Sequence, residues 1–97
     1  MNAYELLYFV DPAATEEMRA GAMKRIEVAI TTNGGTIDSV EDWGKRKLAF
    51  EVDKLTEGDY TLINFHANPD DIAELDRVLR INDAVKRHMV VRRPDEN

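Results

Sequence analysis

The sequence predicts an α+β fold in which two helices pack on one face of a four-stranded antiparallel sheet. Two helix-start signals separate four runs of strand-forming residues, so the element order is strand, helix, strand, strand, helix, strand. The 97 residues suit one domain, residues 1–97, with a single two-layer core.

The first strand and first helix are predicted within residues 3–35. Residues 3–10 (AYELLYFV) are aromatic and aliphatic, and Asp11-Pro12 ends the strand because proline cannot donate to a ladder. Thr15 can cap the helix that follows, and Asn33-Gly34-Gly35 can stop it because these residues accept a left-handed backbone. Apolar residues recur on this helix at spacings of three and four: Met18, Ala22, Ile26, Ala29 and Ile30.

The two middle strands are predicted as a hairpin. Residues 36–53 form one long strand that Gly44 interrupts with a bulge or bend. The predicted connection is Thr56-Glu57-Gly58-Asp59, and residues 60–67 (YTLINFHA) form the next strand.

The second helix begins at Asn68-Pro69, where a capping residue precedes a proline at the first helical position. Asn82 ends this helix, and residues 84–92 (AVKRHMVVR) form the last strand. Three residues line the apolar face of this second helix: Ile72, Leu75 and Leu79.

This order is that of a ferredoxin-like βαββαβ sandwich, with the strands in the spatial order four, one, three, two. The hairpin between residues 53 and 59 is expected to project beyond the sheet. One face of the sheet carries no helix and is available to a partner.

Composition excludes several kinds of chemistry. The chain has no cysteine, so disulfides and thiolate metal sites are absent, and Ser39 is its only serine. His66 and His88 lie in predicted strands, where a partly buried or interface role is expected rather than metal binding. No apolar run is long enough to span a membrane, and the first residues do not resemble a signal peptide. We therefore expect a cytoplasmic protein without catalytic residues, cofactor, metal, small-molecule substrate or membrane partner.

Charge is distributed unevenly along the chain. The net charge is −6, yet residues 45–47 are all basic, and residues 77–93 hold six basic groups against one acid. Basic islands suit phosphate binding, which is mostly electrostatic. Islands are also common on solvated surfaces, and basic residues on an edge strand discourage aggregation.

Motifs spread along the chain occur together in a specific order. Residues 44–50 (GKRKLAF) are similar to a signature of glycine, basic residues, Leu-Ala and an aromatic, and residues 79–83 (LRIND) and 85–91 (VKRHMVV) add two more matches. The combination resembles the family of bacterial small-subunit ribosomal protein six over nearly the whole chain. The sequence departs from the family pattern at two positions. Phe50 stands where the family usually has tyrosine, and Asp53 stands where a small or basic residue is common. Further matches are Tyr4-Glu5, Gly34-Gly35, Glu41, Trp43, Lys54, Gly58 and Tyr60.

The resemblance implies a non-enzymatic structural constituent of the small (30S) ribosomal subunit, located at the ribosome. It implies binding to the central domain of small-subunit (16S) rRNA together with small-subunit ribosomal protein eighteen. An acidic chain can pair with a basic protein while its basic islands contact phosphate. From the islands and the resemblance we expect eight residues to contact RNA: Lys45, Arg46, Lys47, Arg80, Lys86, Arg87, Arg92 and Arg93.

A different use of the fold stays open on the residues alone, because this architecture hosts many functions. The alternatives are a small enzyme of the acylphosphatase type and a regulatory ligand-binding domain. Such an enzyme needs an anion-binding loop with a positioned arginine between the first strand and the first helix. Here that loop, residues 11–14 (DPAA), is acidic and lacks glycine and arginine, which counts against the enzyme.

Overall fold

The computed structural model describes residues 1–94, in which four strands form one antiparallel sheet with the spatial order β2-β3-β1-β4. Both helices contribute to the core on the same face of this sheet. The predicted ferredoxin-like α+β class and strand order are confirmed. The elements are β1 (Asn2–Val10), α1 (Glu16–Thr31), β2 (Thr36–Val52), β3 (Leu55–Ala67), α2 (Ile72–Ile81) and β4 (Val85–Arg92), with a 3₁₀ turn (Pro69–Asp71) before α2.

The core lies between the two central strands and the two helices. Tyr4 and Leu6 of β1 pair with Phe65 and Ile63 of β3, and all four side chains are buried. The rings of Tyr4 and Phe65 stack with centroids 5.5 Å apart. Four residues from the predicted apolar faces of the helices are confirmed as buried in one core with these strand residues: Ile26, Ile30, Leu75 and Leu79.

The helix ends are largely as predicted. The Oγ1 atom of Thr15 accepts a hydrogen bond from the backbone N–H of Met18 at 3.1 Å, so Thr15 caps α1. Met18 itself is exposed, because it lies in the first turn and borders the groove between the helices. Asn82 ends α2, as predicted. The predicted start at Asn68-Pro69 differs: Asn68 makes no side-chain capping bond, Pro69 begins a 3₁₀ turn, and α2 itself begins at Ile72.

The connection between β2 and β3 differs from the prediction. The turn consists of Asp53 and Lys54, whose φ angles of 48° and 66° are both positive, as in the two-residue turns that suit hairpin twist. The predicted connection, residues 56–59, instead lies within β3. Gly58 is needed there for close packing rather than for a turn, because a Cβ atom at that position would lie 2.5 Å from the ring of Phe9.

The hairpin projects beyond the sheet, as expected. β3 pairs with β1 only from Asp59 onward, so residues 46–58 extend past the end of β1 as a hairpin in which residues 48–51 of β2 bulge out of the register. Within residues 1–94, neither helix is long and apolar enough to cross a membrane.

Candidate nucleic-acid interface

The face of the sheet opposite the helices, here called the open face, has an apolar centre. Leu7 pairs with Leu62 on one side and with Met89 on the other, and these alternate with the core residues of the same strands. Met89 and Val91 of β4 are 57% and 44% exposed. A protein that leaves such side chains in solvent usually has a partner for them, because large exposed apolar patches are uncommon on monomers.

The first basic island lies on β2, at one edge of the sheet. Lys45 pairs with Asp59, which itself pairs with the buried Val10, so Lys45 lies on the helix side. Arg46 is opposite Gly58 and therefore lies on the open face. Alternation then returns Lys47 to the helix side. Arg46 therefore lies on the opposite face of the sheet from the two lysines.

The second basic island lies mainly on β4, at the opposite edge of the sheet, so the structure does not bring the two islands together. Arg87 pairs with Phe9 on the open face, whereas His88 pairs with Tyr8 on the helix side. The register shifts beside Phe9, leaving Lys86 as an extra residue before Val85 pairs with Val10.

The remaining basic residues of this island are engaged within the protein. Arg80 on α2 is exposed and lies 3.3 Å from Asp76. Arg93 donates its backbone N–H to the carbonyl of Ala3 at 2.8 Å and its Nε–H to the carbonyl of Tyr4 at 3.2 Å. Its guanidinium also lies 3.4 Å from Asp38 on the far edge strand, so Arg93 spans the end of the open face. Arg92, the last residue of β4, is exposed.

A bulge in β2 displays an aromatic side chain, Trp43, to which the sequence motifs assign no role beyond the family resemblance. The register shifts between Asp42 and Gly44, so Trp43 is the extra residue and is 40% exposed. The Oδ1 atom of Asp42 accepts the N–H of Gly44 at 2.9 Å and closes the bulge. The guanidinium carbon of Arg46 lies 5.8 Å from the centroid of the Trp43 ring. The sequence signal for this feature is a tryptophan directly before Gly44, the glycine that is expected to mark a bulge within the strand.

The two histidines have carboxylate partners rather than metal ligands. The Nδ1 atom of His66 lies 2.6 Å from Asp38, and the Nε2 atom of His88 lies 2.6 Å from Asp76. The hydrogen bond with His88 is the main reason why the pKa of Asp76 lies below its usual value. Residues 1–94 contain no group of three or more His, Asp or Glu side chains placed to hold a metal ion.

The loop between β1 and α1 does contain a nearby arginine, but it faces protein oxygens. Arg19 donates to the carbonyls of Ala14 and Pro12 at 3.0 and 2.9 Å and lies 2.6 Å from a carboxylate oxygen of Asp59. These acceptors already surround its guanidinium. The anion-binding arginine that the acylphosphatase alternative needs is therefore not provided by Arg19.

The described residues thus combine an open sheet face with basic edges and offer no assembled catalytic or metal cluster. These features define a ferredoxin-like binding protein, and the comparisons with known proteins identify its family.

The family model described as Ribosomal protein S6 matches residues 3–92. Small ribosomal subunit protein bS6 from Clostridium beijerinckii is 45% identical over 91 residues, covering 94% of this chain and 96% of that protein. The protein of the same name from Caldanaerobacter subterraneus is 43% identical over 95 residues, covering 98% and 100%. The crystal structure of 30S ribosomal protein S6 from Thermotoga maritima has a TM-score of 0.87 at 35% identity, covering 97% of this chain and 89% of that one. The chain belongs to the ribosomal protein S6 family.

This membership confirms the resemblance found in the sequence motifs. It also confirms the predictions of a structural, non-enzymatic ribosomal protein with a cytoplasmic location.

Proposed function

We propose that this chain is a structural constituent of the small ribosomal subunit that binds the central domain of 16S rRNA jointly with small-subunit ribosomal protein eighteen. The observation that carries the proposal is the position of the basic residues. On a chain of net charge −6, six of the eight residues expected to contact RNA lie on the two outer strands of the sheet, beside a face that no helix covers.

The RNA contacts are expected to be made mainly with phosphate groups. Lys45, Arg46, Lys47 and Arg87 are exposed, so their cationic ends can reach a backbone that passes either edge of the sheet. Arginine adds a planar fork of donors that matches phosphate oxygens. Such contacts fix the position of a protein on RNA without reading its sequence.

A second protein is expected to strengthen this binding. The acidic groups outside the islands repel RNA, so the isolated chain should bind RNA weakly. A basic partner neutralises part of this charge and adds its own phosphate contacts, which explains why binding would be joint.

The test compares two double variants of equal charge in a complex with the partner protein and central-domain RNA. Lys86→Gln with Arg87→Gln alters the β4 island, and Lys24→Gln with Arg25→Gln alters an exposed part of α1. The β4 variant should bind more weakly and flatten the salt dependence by up to roughly 2 units, if each residue meets one phosphate. The α1 variant should behave as wild type.

Unchanged affinity and an unchanged salt slope in the β4 variant would remove this strand from the RNA interface. Its basic residues would then be better explained as protection against edge-to-edge aggregation. Failure of the wild-type chain to join the complex at any salt concentration would refute the proposed function itself.

A further inference from the structure

The bulge in β2 creates a surface that phosphate contacts alone do not explain. Trp43 is held away from the core and lies beside the guanidinium of Arg46, which also donates its Nε–H to the Trp43 carbonyl at 3.1 Å. An arginine beside an indole gains a cation–π interaction and keeps its charge in solvent. The pair thus presents a ring and a positive charge side by side.

The backbone next to this pair is not covered by residues from other parts of the fold. Gly44 follows Trp43, and a Cβ atom built on Gly44 would meet nothing within 4 Å. Across the sheet Gly44 pairs with Tyr60, whose ring centroid lies 5.1 Å from that of Phe9. Phe9 in turn rests on the backbone of Gly58. Gly44 therefore lies between the exposed Trp43, its neighbour on β2, and Tyr60, its partner on β3, while Phe9 beside Tyr60 is itself buried.

We propose that this surface, the Trp43 platform (Trp43, Gly44, Arg46 and Tyr60), stacks the bases of unpaired RNA nucleotides. The inference rests on the proposed function and gives it a second type of contact. Aromatic rings hold unpaired bases by stacking, and adjacent cations hold the phosphates between those bases.

Charge favours RNA as the occupant of the platform over a basic protein segment. Lys45 and Lys47 flank Arg46 on the same strand, and Arg87 borders Phe9 across the sheet. Lys45 and Lys47 lie on the helix side, so on the open face itself the positive groups at this end are Arg46 and Arg87, whereas most of the chain is acidic. A duplex would bring phosphates but would hide its bases, so the exposed rings favour unpaired nucleotides.

The first experiment needs no variant, because Trp43 is the only tryptophan in the chain. Its fluorescence is followed while a short single-stranded oligouridylate is added, and then while an RNA duplex with the same number of phosphates is added. Stacking should quench the fluorescence with the single strand in a saturable manner, and the duplex should quench it much less. Equal quenching by both would show that only charge is recognised and would overturn the inference.

The second experiment uses the complex with the partner protein and central-domain RNA. Trp43→Ala should weaken RNA binding about 5- to 150-fold, which is the usual effect of losing one base stack. The slope of affinity against salt should stay unchanged, because no phosphate contact is removed. Trp43→Phe should restore part of the loss.

The matched control is Phe50→Ala, which removes another exposed aromatic from the same strand, outside the platform. It should bind as wild type, and circular dichroism should show that both alanine variants are folded. Equal losses in the two variants would overturn the inference.

Two further outcomes separate the possible sources of failure. If adding the partner protein alone quenches Trp43, and Trp43→Ala weakens that partner without RNA present, the platform is a protein contact and the inference is wrong. If wild type binds RNA with a steep salt dependence but Trp43 is never quenched, the inference fails while the proposed function stands.

Discussion

Leu75 of α2 offers a direct test of how the helices are attached to the sheet. Its side chain is 1% exposed and belongs to the core that also contains Ile26 and Phe65. Leu75→Ala removes three carbon atoms from this core without adding a polar group. The change therefore measures the loss of apolar burial and little else.

The expected cost follows from this burial. Removing three carbons at about 0.8 kcal/mol each gives a transfer cost of roughly 2.4 kcal/mol. A residual cavity of about 40 Å³ would add roughly 1 kcal/mol at about 24 cal/mol per Å³. Because α2 is only 10 residues long, it can shift toward the sheet and close part of the cavity. We expect Leu75→Ala to lower the free energy of unfolding by about 3–4 kcal/mol.

The measurement is urea unfolding followed by far-ultraviolet circular dichroism, with Ile81→Ala as the control. Ile81 is the last residue of the same helix and is 59% exposed, so its truncation should cost less than about 1 kcal/mol. A cost below about 1 kcal/mol for Leu75→Ala would mean that this face of α2 does not pack on the sheet. Equal costs for the two variants would also contradict the packing described above.

Three further predictions concern single side chains. Arg19→Gln should lower the free energy of unfolding in urea by about 1–3 kcal/mol, because it removes charge-assisted bonds to Asp59 and to the β1–α1 loop, while exposed Arg25→Gln should change it by less than about 0.5 kcal/mol. Lys54→Gly should raise the free energy of unfolding by about 0.5–1 kcal/mol, because glycine adopts the left-handed backbone of Lys54 without steric cost. The added freedom of glycine in the unfolded chain offsets part of this gain. The melting temperature should therefore rise, and a lower melting temperature would contradict this. The hydrogen bond with His88 lowers the pKa of Asp76, so its stabilisation is present above the unfolded pKa of about 3.9 and is lost as the pH falls through the lower folded pKa. Asp76→Asn should therefore flatten the acid side of a plot of melting temperature against pH, and an unchanged plot would exclude this contribution.

The element order and much of the core could be predicted from local chemistry alone. The hydroxyl of Thr15 caps α1 as its position suggested, and the three-and-four spacing placed Ile26 and Ile30 in the core. These features depend on residues that are close in sequence, so periodicity and capping rules identify them.

The position of the hairpin turn was predicted wrongly because Lys54 is not a residue type that indicates a left-handed backbone. Asp53-Lys54 adopts positive φ angles even though lysine is rarely chosen for them, whereas Gly58 looks like a turn residue and sits in a strand. The reason for Gly58 is the ring of Phe9, which comes from a different strand. A contact between residues so distant along the chain cannot be deduced from the local sequence.

The candidate interface depends even more strongly on pairing between strands. Simple alternation puts Val85 and Arg87 on one face, but the register shift at Lys86 sends Val85 into the core and leaves Arg87 on the open face. A second shift makes Trp43 an extra residue in β2. Each bulge adds one residue against its partner strand and so changes which face the neighbouring side chains occupy. The sequence can therefore identify the basic islands, but the register of the assembled sheet decides that Arg87 lies on the same open face as Arg46 and as Gly44 beside Trp43.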